Sequence, residues 1–152
     1  MAARQIIAIE GLDEVVRELK RRGANVADGL EAICKAGAEV IHADAAGRAP
    51  GDIGERLLVK TIQKRPKQVT VGIGPSKRDK IARFVEDGTK PHDIPKARKG
   101  RRRKPLYING SFVMVAHHPG ARPKPYLRPA YEAKKNDAQD AMGKATGKAL
   151  EV

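Results

Sequence analysis

The spacing of the apolar residues changes near Pro50, and no other feature constrains the fold of this chain as much. Before Pro50, apolar residues recur every three or four positions, as on one face of a helix. Between Leu57 and Ile73 they alternate with polar residues, as in a strand that is buried on one side. The sequence therefore predicts helices first and antiparallel strands after them.

Two helices are predicted before this change of period. The first, Leu12–Arg22, has acidic residues near its start and basic residues near its end, which suits the helix dipole. Asn25 with Asp28 is expected to cap the second helix, and the Ala-Pro-Gly-Asp turn at 49–52 ends it. Gly37 and several alanines in the second helix allow another element to pack closely against it.

The middle of the chain predicts strands and a hairpin. Leu57–Arg65 and Val69–Ile73 are expected to pair as antiparallel strands. The spacing within Asp79–Asp87 fits a short helix and an irregular strand equally well. Asn109-Gly110 separates two short apolar runs and predicts a hairpin over Leu106–Val115, because this pair adopts the positive φ angles of a type I′ turn.

One more helix is predicted at the C-terminal end. His117–Pro129 holds four of the ten prolines, which indicates an extended connection. Pro129 suits the first position of a helix that runs to Leu150 with a thin apolar stripe. Two glycines in its second half each weaken it by about 1 kcal/mol relative to Ala, so residues 143–152 are expected to fray.

The segment 90–105 is basic, punctuated by proline and almost free of apolar residues, so it is predicted to be a long solvated loop or arm. The chain has 31 Lys and Arg against 18 Asp and Glu, and this net charge of +13 favours polyanionic neighbours. Clustered cations bind phosphate backbones through counterion release. The same run also fits a plain solvated loop, or an arm that pairs with an acidic protein. The candidate contact residues for DNA or a partner are Lys96, Arg98, Lys99, Arg101, Arg102, Arg103 and Lys104.

No residue pattern indicates catalysis, a metal or a cofactor. His92, His117 and His118 have no Cys or carboxylate at zinc-site spacing, and Cys34 lies within a predicted helix, where packing is its expected role. The acidic residues form no spaced pair for acid–base chemistry. We therefore expect that this protein is not an enzyme. The N-terminal segment is too short and too interrupted for a signal peptide or a membrane span, so we expect a soluble single domain over residues 1–152 with no membrane partner.

Several motifs, taken in order, resemble the small neck and tail-completion proteins of long-tailed bacteriophages, the head–tail joining or minor tail components. The segments IEGLDEVVRELKRRG and AEVIHADAAGRAPGDIGERLLVKTI follow the family order, and RFVEDGTKPH and ARPKPYLRPAYEA are the more specific matches. The chain departs from the family at Ile53, where Thr is usual, and in the longer basic insert Lys96–Lys104. The residues that match the specific motifs are Phe84, Val85, Glu86, Gly88, Thr89, Pro125, Tyr126, Leu127, Arg128, Pro129 and Ala130.

The resemblance implies an α+β fold with two N-terminal helices and a C-terminal helix packed on an antiparallel β-sheet, and a long basic loop or arm. This agrees with the element order predicted from the residues. The resemblance also implies a tight turn over Glu86–Thr89, with a positive φ at Gly88, and an anchor of the last helix on the sheet through Tyr126 and Leu127. These are structural roles.

In function, the resemblance implies a non-enzymatic virion protein. It would be a subunit of a homo-oligomeric ring, expected to be a hexamer, that completes the tail and joins it to the head while the genome passes through. The expected partners are the head-completion or stopper protein, the tail terminator or tail tube proteins, and genomic DNA through non-specific contact. The expected location is the neck and tail of the virion, after assembly in the host cytoplasm. The charge alone supports an alternative, a small basic nucleic-acid-binding protein that acts through the Lys/Arg-rich loop.

Overall fold

The computed structural model describes residues 12–21, 26–95, 97–99 and 102–151. The fold is α+β, as predicted. Two compact units are distinguished: one lies within Met1–Ala82 and Pro125–Val152, and the other is Arg83–Lys124. We call the first the helical unit and the second the hairpin unit. The single domain over residues 1–152 stays a prediction.

The helical unit contains the long helices and one pair of strands. Its strands pair in antiparallel fashion with a bulge between Thr61 and Gln63, and they confirm the predicted hairpin. A short 3₁₀ turn, Gly54–Arg56, precedes the first strand. Its elements are α1 (Leu12–Arg21), α2 (Val26–Arg48), β1 (Leu57–Arg65), β2 (Gln68–Pro75) and α4 (Leu127–Glu151). Two residues with predicted roles lie outside the described residues: Arg22, the last residue of the first predicted helix, and Asn25, a predicted cap of the second.

Lys80–Asp87 forms a helix, α3, which resolves the choice that the sequence left open. The Asp79 carboxylate accepts a hydrogen bond from the Ala82 N–H at 3.0 Å, as an N-cap residue does, and this contact favours the helix over a strand. The last helix, α4, begins two residues before the predicted Pro129 and stays helical to Glu151.

The hairpin unit is made of short antiparallel pairs rather than one sheet with β1 and β2. Within the described residues, β3 (His92–Pro95) pairs with β8 (Val115–His118), β4 (Ala97–Lys99) with β5 (Arg102–Lys104), and β6 (Leu106–Ile108) with β7 (Ser111–Val113). The segment 90–105 was predicted to be a long solvated loop or arm, and most of its described residues form β3, β4 and β5. A two-stranded hairpin such as β4–β5 is one form that an arm can take, with its backbone groups bonded to each other instead of to water alone.

Helix α2 is the centre of the helical unit, because it packs against α4 and against both β1 and β2. Gly37 marks the close approach of the two long helices: a Cβ built on it would lie 2.5 Å from Met142 Cε and 3.0 Å from the Ala138 carbonyl oxygen. The absence of a side chain at Gly37 therefore sets the distance between α2 and α4. Here the predicted close packing is confirmed.

Polar contacts hold α2 to the first strand. Glu31 accepts a hydrogen bond from the Thr61 hydroxyl at 2.7 Å and forms ion pairs with Lys35 at 2.8 Å and Lys64 at 2.6 Å. The Lys35, Lys64 and Thr61 hydrogen bonds lower the pKa of Glu31 from 4.5 to about 2. Because the folded pKa is the lower one, this contribution to stability is present above pH 4.5 and is lost as the pH falls towards 2.

The apolar core described by the structure lies entirely in the helical unit. Leu19, Ile33 and Tyr126 are its largest fully buried side chains, and small aliphatic residues supply the rest. Among the described residues of the hairpin unit, no hydrophobic side chain is buried. The helical unit therefore has a core of its own, whereas the hairpin unit does not.

Gly37→Ala should destabilise the protein by about 1–3 kcal/mol, because the added methyl would collide with Met142 and with the backbone of α4. Gly47→Ala is the matched control: Gly47 lies on the same helix, and a Cβ there would meet nothing within 4 Å. The control should raise stability by up to about 1 kcal/mol through helix propensity alone. Urea unfolding of both variants measures this difference, and equal effects would contradict the close α2–α4 packing.

Candidate interaction surface

A glycine cap ends α3 and directs the chain towards Thr89. Gly88 has a φ of +70°, as expected, and a Cβ built on it would lie 2.7 Å from the Ala121 carbonyl oxygen. Thr89 and Ala121 exchange two backbone hydrogen bonds, 2.9 and 3.0 Å long. Glu86 belongs to α3 itself. The expected tight turn over Glu86–Thr89 is thus a helix cap followed by a two-residue bridge, because helical bonding extends to Asp87.

A further backbone hydrogen bond joins α3 to the end of the hairpin unit. The Lys124 N–H donates a hydrogen bond of 2.7 Å to the carbonyl oxygen of Val85. The Thr89 hydroxyl oxygen also accepts a bond of 2.9 Å from the Ala121 N–H. The motif residue Phe84 leaves 52% of its surface exposed, so its ring is not part of a core. The Phe-Val-Glu-Asp-Gly-Thr motif therefore closes this segment mainly through its backbone.

The Pro-Tyr-Leu-Arg-Pro motif opens α4 through a buried ring. Tyr126 is fully buried, and its hydroxyl donates a hydrogen bond of 3.2 Å to the carbonyl oxygen of Ala82 in α3. A buried phenol needs such an acceptor, so the Tyr126 hydroxyl links the start of α4 to α3, and the expected anchor of Tyr126 on the sheet stays a prediction. Leu127 lies near β2, where a Cβ built on Gly74 would be 3.9 Å from its Cδ1. Pro125 and Arg128 are exposed, and Pro129 is half-buried.

The basic run forms the β4–β5 pair. In its register Arg98 lies opposite Arg103, and Lys99 lies opposite Arg102. Like charges at opposing positions of an antiparallel pair are destabilising. Lys96, Gly100 and Arg101 lie outside the described residues.

The β6–β7 hairpin carries an exposed pair of aromatic rings. Tyr107 lies opposite Phe112, with ring centroids 5.0 Å apart and planes inclined by 53°. Asn109 and Gly110 connect the strands with φ angles of +48° and +82°, which confirms the predicted turn. The sequence predicts this hairpin without giving its rings a role. The signal for one is the symmetric placement of Tyr107 and Phe112 about the Asn-Gly turn.

The hairpin unit also concentrates the positive charge of the chain. Arg83–Lys124 contains eleven Lys and Arg against three Asp and Glu, whereas the rest of the chain has twenty against fifteen. Most of the net charge of +13 thus belongs to the unit in whose described part no hydrophobic side chain is buried. A surface of this kind suits an anionic partner better than another copy of itself.

Histidines meet where β3 pairs with β8, but they do not form a metal site of familiar type. The rings of His92 and His118 lie 5.1 Å apart, and His117 Nδ1 lies 2.9 Å from an Asp93 carboxylate oxygen. The Nδ1 atom of His118 accepts a hydrogen bond of 3.0 Å from the Gly120 N–H. Among the described residues, no three His, Cys, Asp or Glu side chains come together as metal ligands.

Cys34 faces the strands from α2. Its Sγ lies 3.9 Å from the Val69 carbonyl oxygen, and burial raises the pKa of the thiol. A raised pKa reduces the reactive thiolate, so this environment suits helix packing and opposes nucleophilic chemistry. No helix in the described part of the chain is long and apolar enough to cross a membrane.

A family match covers the first part of the chain. The family described as "Bacteriophage HK97-gp10, putative tail-component" matches residues 13–88, which is half of the chain. The matched region runs from α1 to the glycine that caps α3, and it includes the α2–β1–β2 packing and the Phe-Val-Glu-Asp-Gly motif. No curated protein and no solved structure was found to match.

Gly88→Val should lower the free energy of unfolding by more than about 1 kcal/mol, because a β-branched side chain is strained at positive φ and would meet the Ala121 carbonyl oxygen. Gly51→Val is the matched control, since Gly51 has a φ of +61° and open space around a Cβ. Thermal unfolding should show a larger loss for Gly88→Val. An equal loss in the two variants would mean that the Thr89–Ala121 bridge adds no steric constraint.

Proposed function

The chain belongs to the HK97-gp10-like family of bacteriophage tail components, and from this premise we propose that it is a neck subunit that completes the tail and joins it to the head. The family match carries the proposal, because it makes the chain a structural component of a phage tail in the virion. In the proposal, identical subunits form a ring, expected to be a hexamer, through which the genome passes. The ring bridges the head-completion or stopper protein and the tail terminator or tail tube proteins.

The distribution of the core supports a joining role. The helical unit buries its own apolar side chains around α2, so it can be stable as a scaffold. The described part of the hairpin unit buries none and consists of short two-stranded pairs, which are marginal by themselves in water. A segment of this kind gains stability when a partner protein binds it. In the proposal, the neighbouring neck proteins bind the hairpin unit.

The charge sets a condition on ring assembly. Each subunit carries a net charge of +13, so identical copies repel one another at low salt. We infer that the ring forms beside its partners, which supply the counter-charges, and that the isolated protein is monomeric or weakly associated. The work of the subunit is geometric in this proposal, with no catalytic step.

A second candidate function is favoured by the register of β4 and β5. Five of the six described residues of β4 and β5 are Lys or Arg, and the register places Arg98 opposite Arg103 and Lys99 opposite Arg102. A basic patch of sequence like this suits a phosphate backbone and would bind it without regard to base sequence. A nucleic-acid-binding protein that acts through this hairpin is therefore the alternative. Within a ring, the same patch would contact the genome in the channel.

Interruption of the gene in its phage should yield filled heads and complete tails that fail to join, because the connecting subunit is absent. Electron microscopy of the lysate measures this, and purified protein added to the lysate should restore joined particles. Normal virions in the absence of the protein would contradict the proposal.

A triple substitution separates the two candidates in the same experiment. Arg101→Ala, Arg102→Ala and Arg103→Ala together should reduce joining if the basic hairpin meets a protein. If it meets DNA, they should weaken non-specific DNA binding and flatten its dependence on log salt by up to about 0.9 per lost phosphate contact. The matched control replaces three exposed cations of the helical unit, Lys77, Arg78 and Lys80, with Ala.

A further inference from the structure

The hairpin β6–β7 holds two aromatic rings in water at fixed positions. Tyr107 and Phe112 leave 66% and 73% of their surfaces exposed, although they are two of only five Phe and Tyr residues in the chain. The Asn109-Gly110 turn fixes the register in which the rings lie side by side. Tyr and Phe side chains have only two χ angles and lose little conformational entropy on binding, and aromatic anchors of this kind dominate the energy of protein interfaces.

More apolar surface lies next to this pair along the chain. Ile108, Met114 and Val115 have exposures of 41%, 54% and 54%. Since no described hydrophobic residue of the hairpin unit is buried, these side chains have no core in their own unit to join. Ile108 follows Tyr107 along β6 and therefore lies on the other face of the strand, so the hairpin exposes apolar side chains on both of its faces.

The charges around the rings decide what kind of partner fits. The unit that carries the rings has eleven cations against three carboxylates, and the rest of the chain also has an excess of cations, twenty against fifteen. A second copy of the chain therefore offers like charge. Duplex DNA offers the opposite charge, but its bases are already stacked on one another, and aromatic side chains bind the free base faces of single strands. An acidic protein surface with an apolar pocket offers both.

We propose that the β6–β7 hairpin is a docking plug: Tyr107 and Phe112 insert into an apolar pocket, rimmed by carboxylates, on the adjacent protein of the virion. This inference rests on the proposed function as a neck subunit and names the chemistry of the partner. The rings supply the apolar anchor at the centre of the contact, and the excess of cations in the unit favours an acidic rim on the partner. The rim charges mainly accelerate and orient the encounter, and the rings slow dissociation.

The test uses a lysate that lacks this protein and contains separate heads and tails, to which purified full-length variants are added. The double variant Tyr107→Ser, Phe112→Ser should raise the protein concentration needed for half-maximal joining by at least about thirtyfold, as the loss of one or two anchor residues does. The matched control exchanges the rings, Tyr107→Phe with Phe112→Tyr, and should join particles as the unaltered protein does. Both variants should keep the global unfolding temperature of the unaltered protein, because the buried core lies in the helical unit.

Each outcome bears on one claim. If the unaltered protein fails to restore joining, the proposed neck function is wrong; if it restores joining and the serine variant joins equally well, the docking plug is wrong. Joining that is insensitive to salt would contradict the acidic rim. Loss of binding to anionic lipid vesicles by the serine variant, with joining unchanged, would assign the rings to a lipid surface and overturn the proposal. A photo-crosslinker at position 112 of joined particles should attach to another virion protein, and attachment to a second copy of this chain would also overturn it.

Discussion

The close approach of α2 and α4 at Gly37 is the contact on which the rest of the structure depends. Because no side chain stands at Gly37, Met142 and the backbone at Ala138 lie against α2. This contact fixes one side of α2, and its other contacts, with β1 and β2, complete the core. A chain with few aromatic residues gains much of its burial from such close helix packing, since small aliphatic side chains bury little area each.

Tyr126 connects this core to the short helix α3. Its ring is the one aromatic side chain among the buried hydrophobic residues of the described chain, and its hydroxyl reaches the Ala82 carbonyl oxygen of α3. Helix α3 ends at Asp87 and is capped by Gly88, and the short strand pairs of the hairpin unit follow this cap. The chain thus places nearly all of its apolar burial in one unit and most of its net charge in the other. A structural subunit that must both persist and bind neighbours has use for that division.

The sequence predicts the parts of this fold whose signals are local. The helices α1 and α2, the β1–β2 pair and the Asn109-Gly110 turn follow from apolar period and turn chemistry within each segment. The spacing of Asp79–Asp87 fits two structures, and only the cap from Asp79 to the Ala82 N–H favours the helix.

Features that depend on distant residues were not predictable in this way. The β3–β8 pair joins segments on either side of the basic hairpin, and Tyr126 finds its acceptor in α3, far from it in sequence. For the candidate surface, the basic residues are evident from composition. The exposure of Tyr107 and Phe112 is not, because their pattern fits a buried strand face equally well.

Amide hydrogen exchange of the isolated protein, followed residue by residue by NMR, is the most direct test of the account. It measures whether the helical unit is stable by itself and whether the hairpin unit is less stable without a partner. Amides of α2, α4 and the β1–β2 pair should exchange only through global unfolding, whereas amides of β6–β7 should exchange through local opening at a much lower free energy. Equal protection in the two units would contradict the division of the chain into a self-sufficient helical unit and a hairpin unit that its partners stabilise.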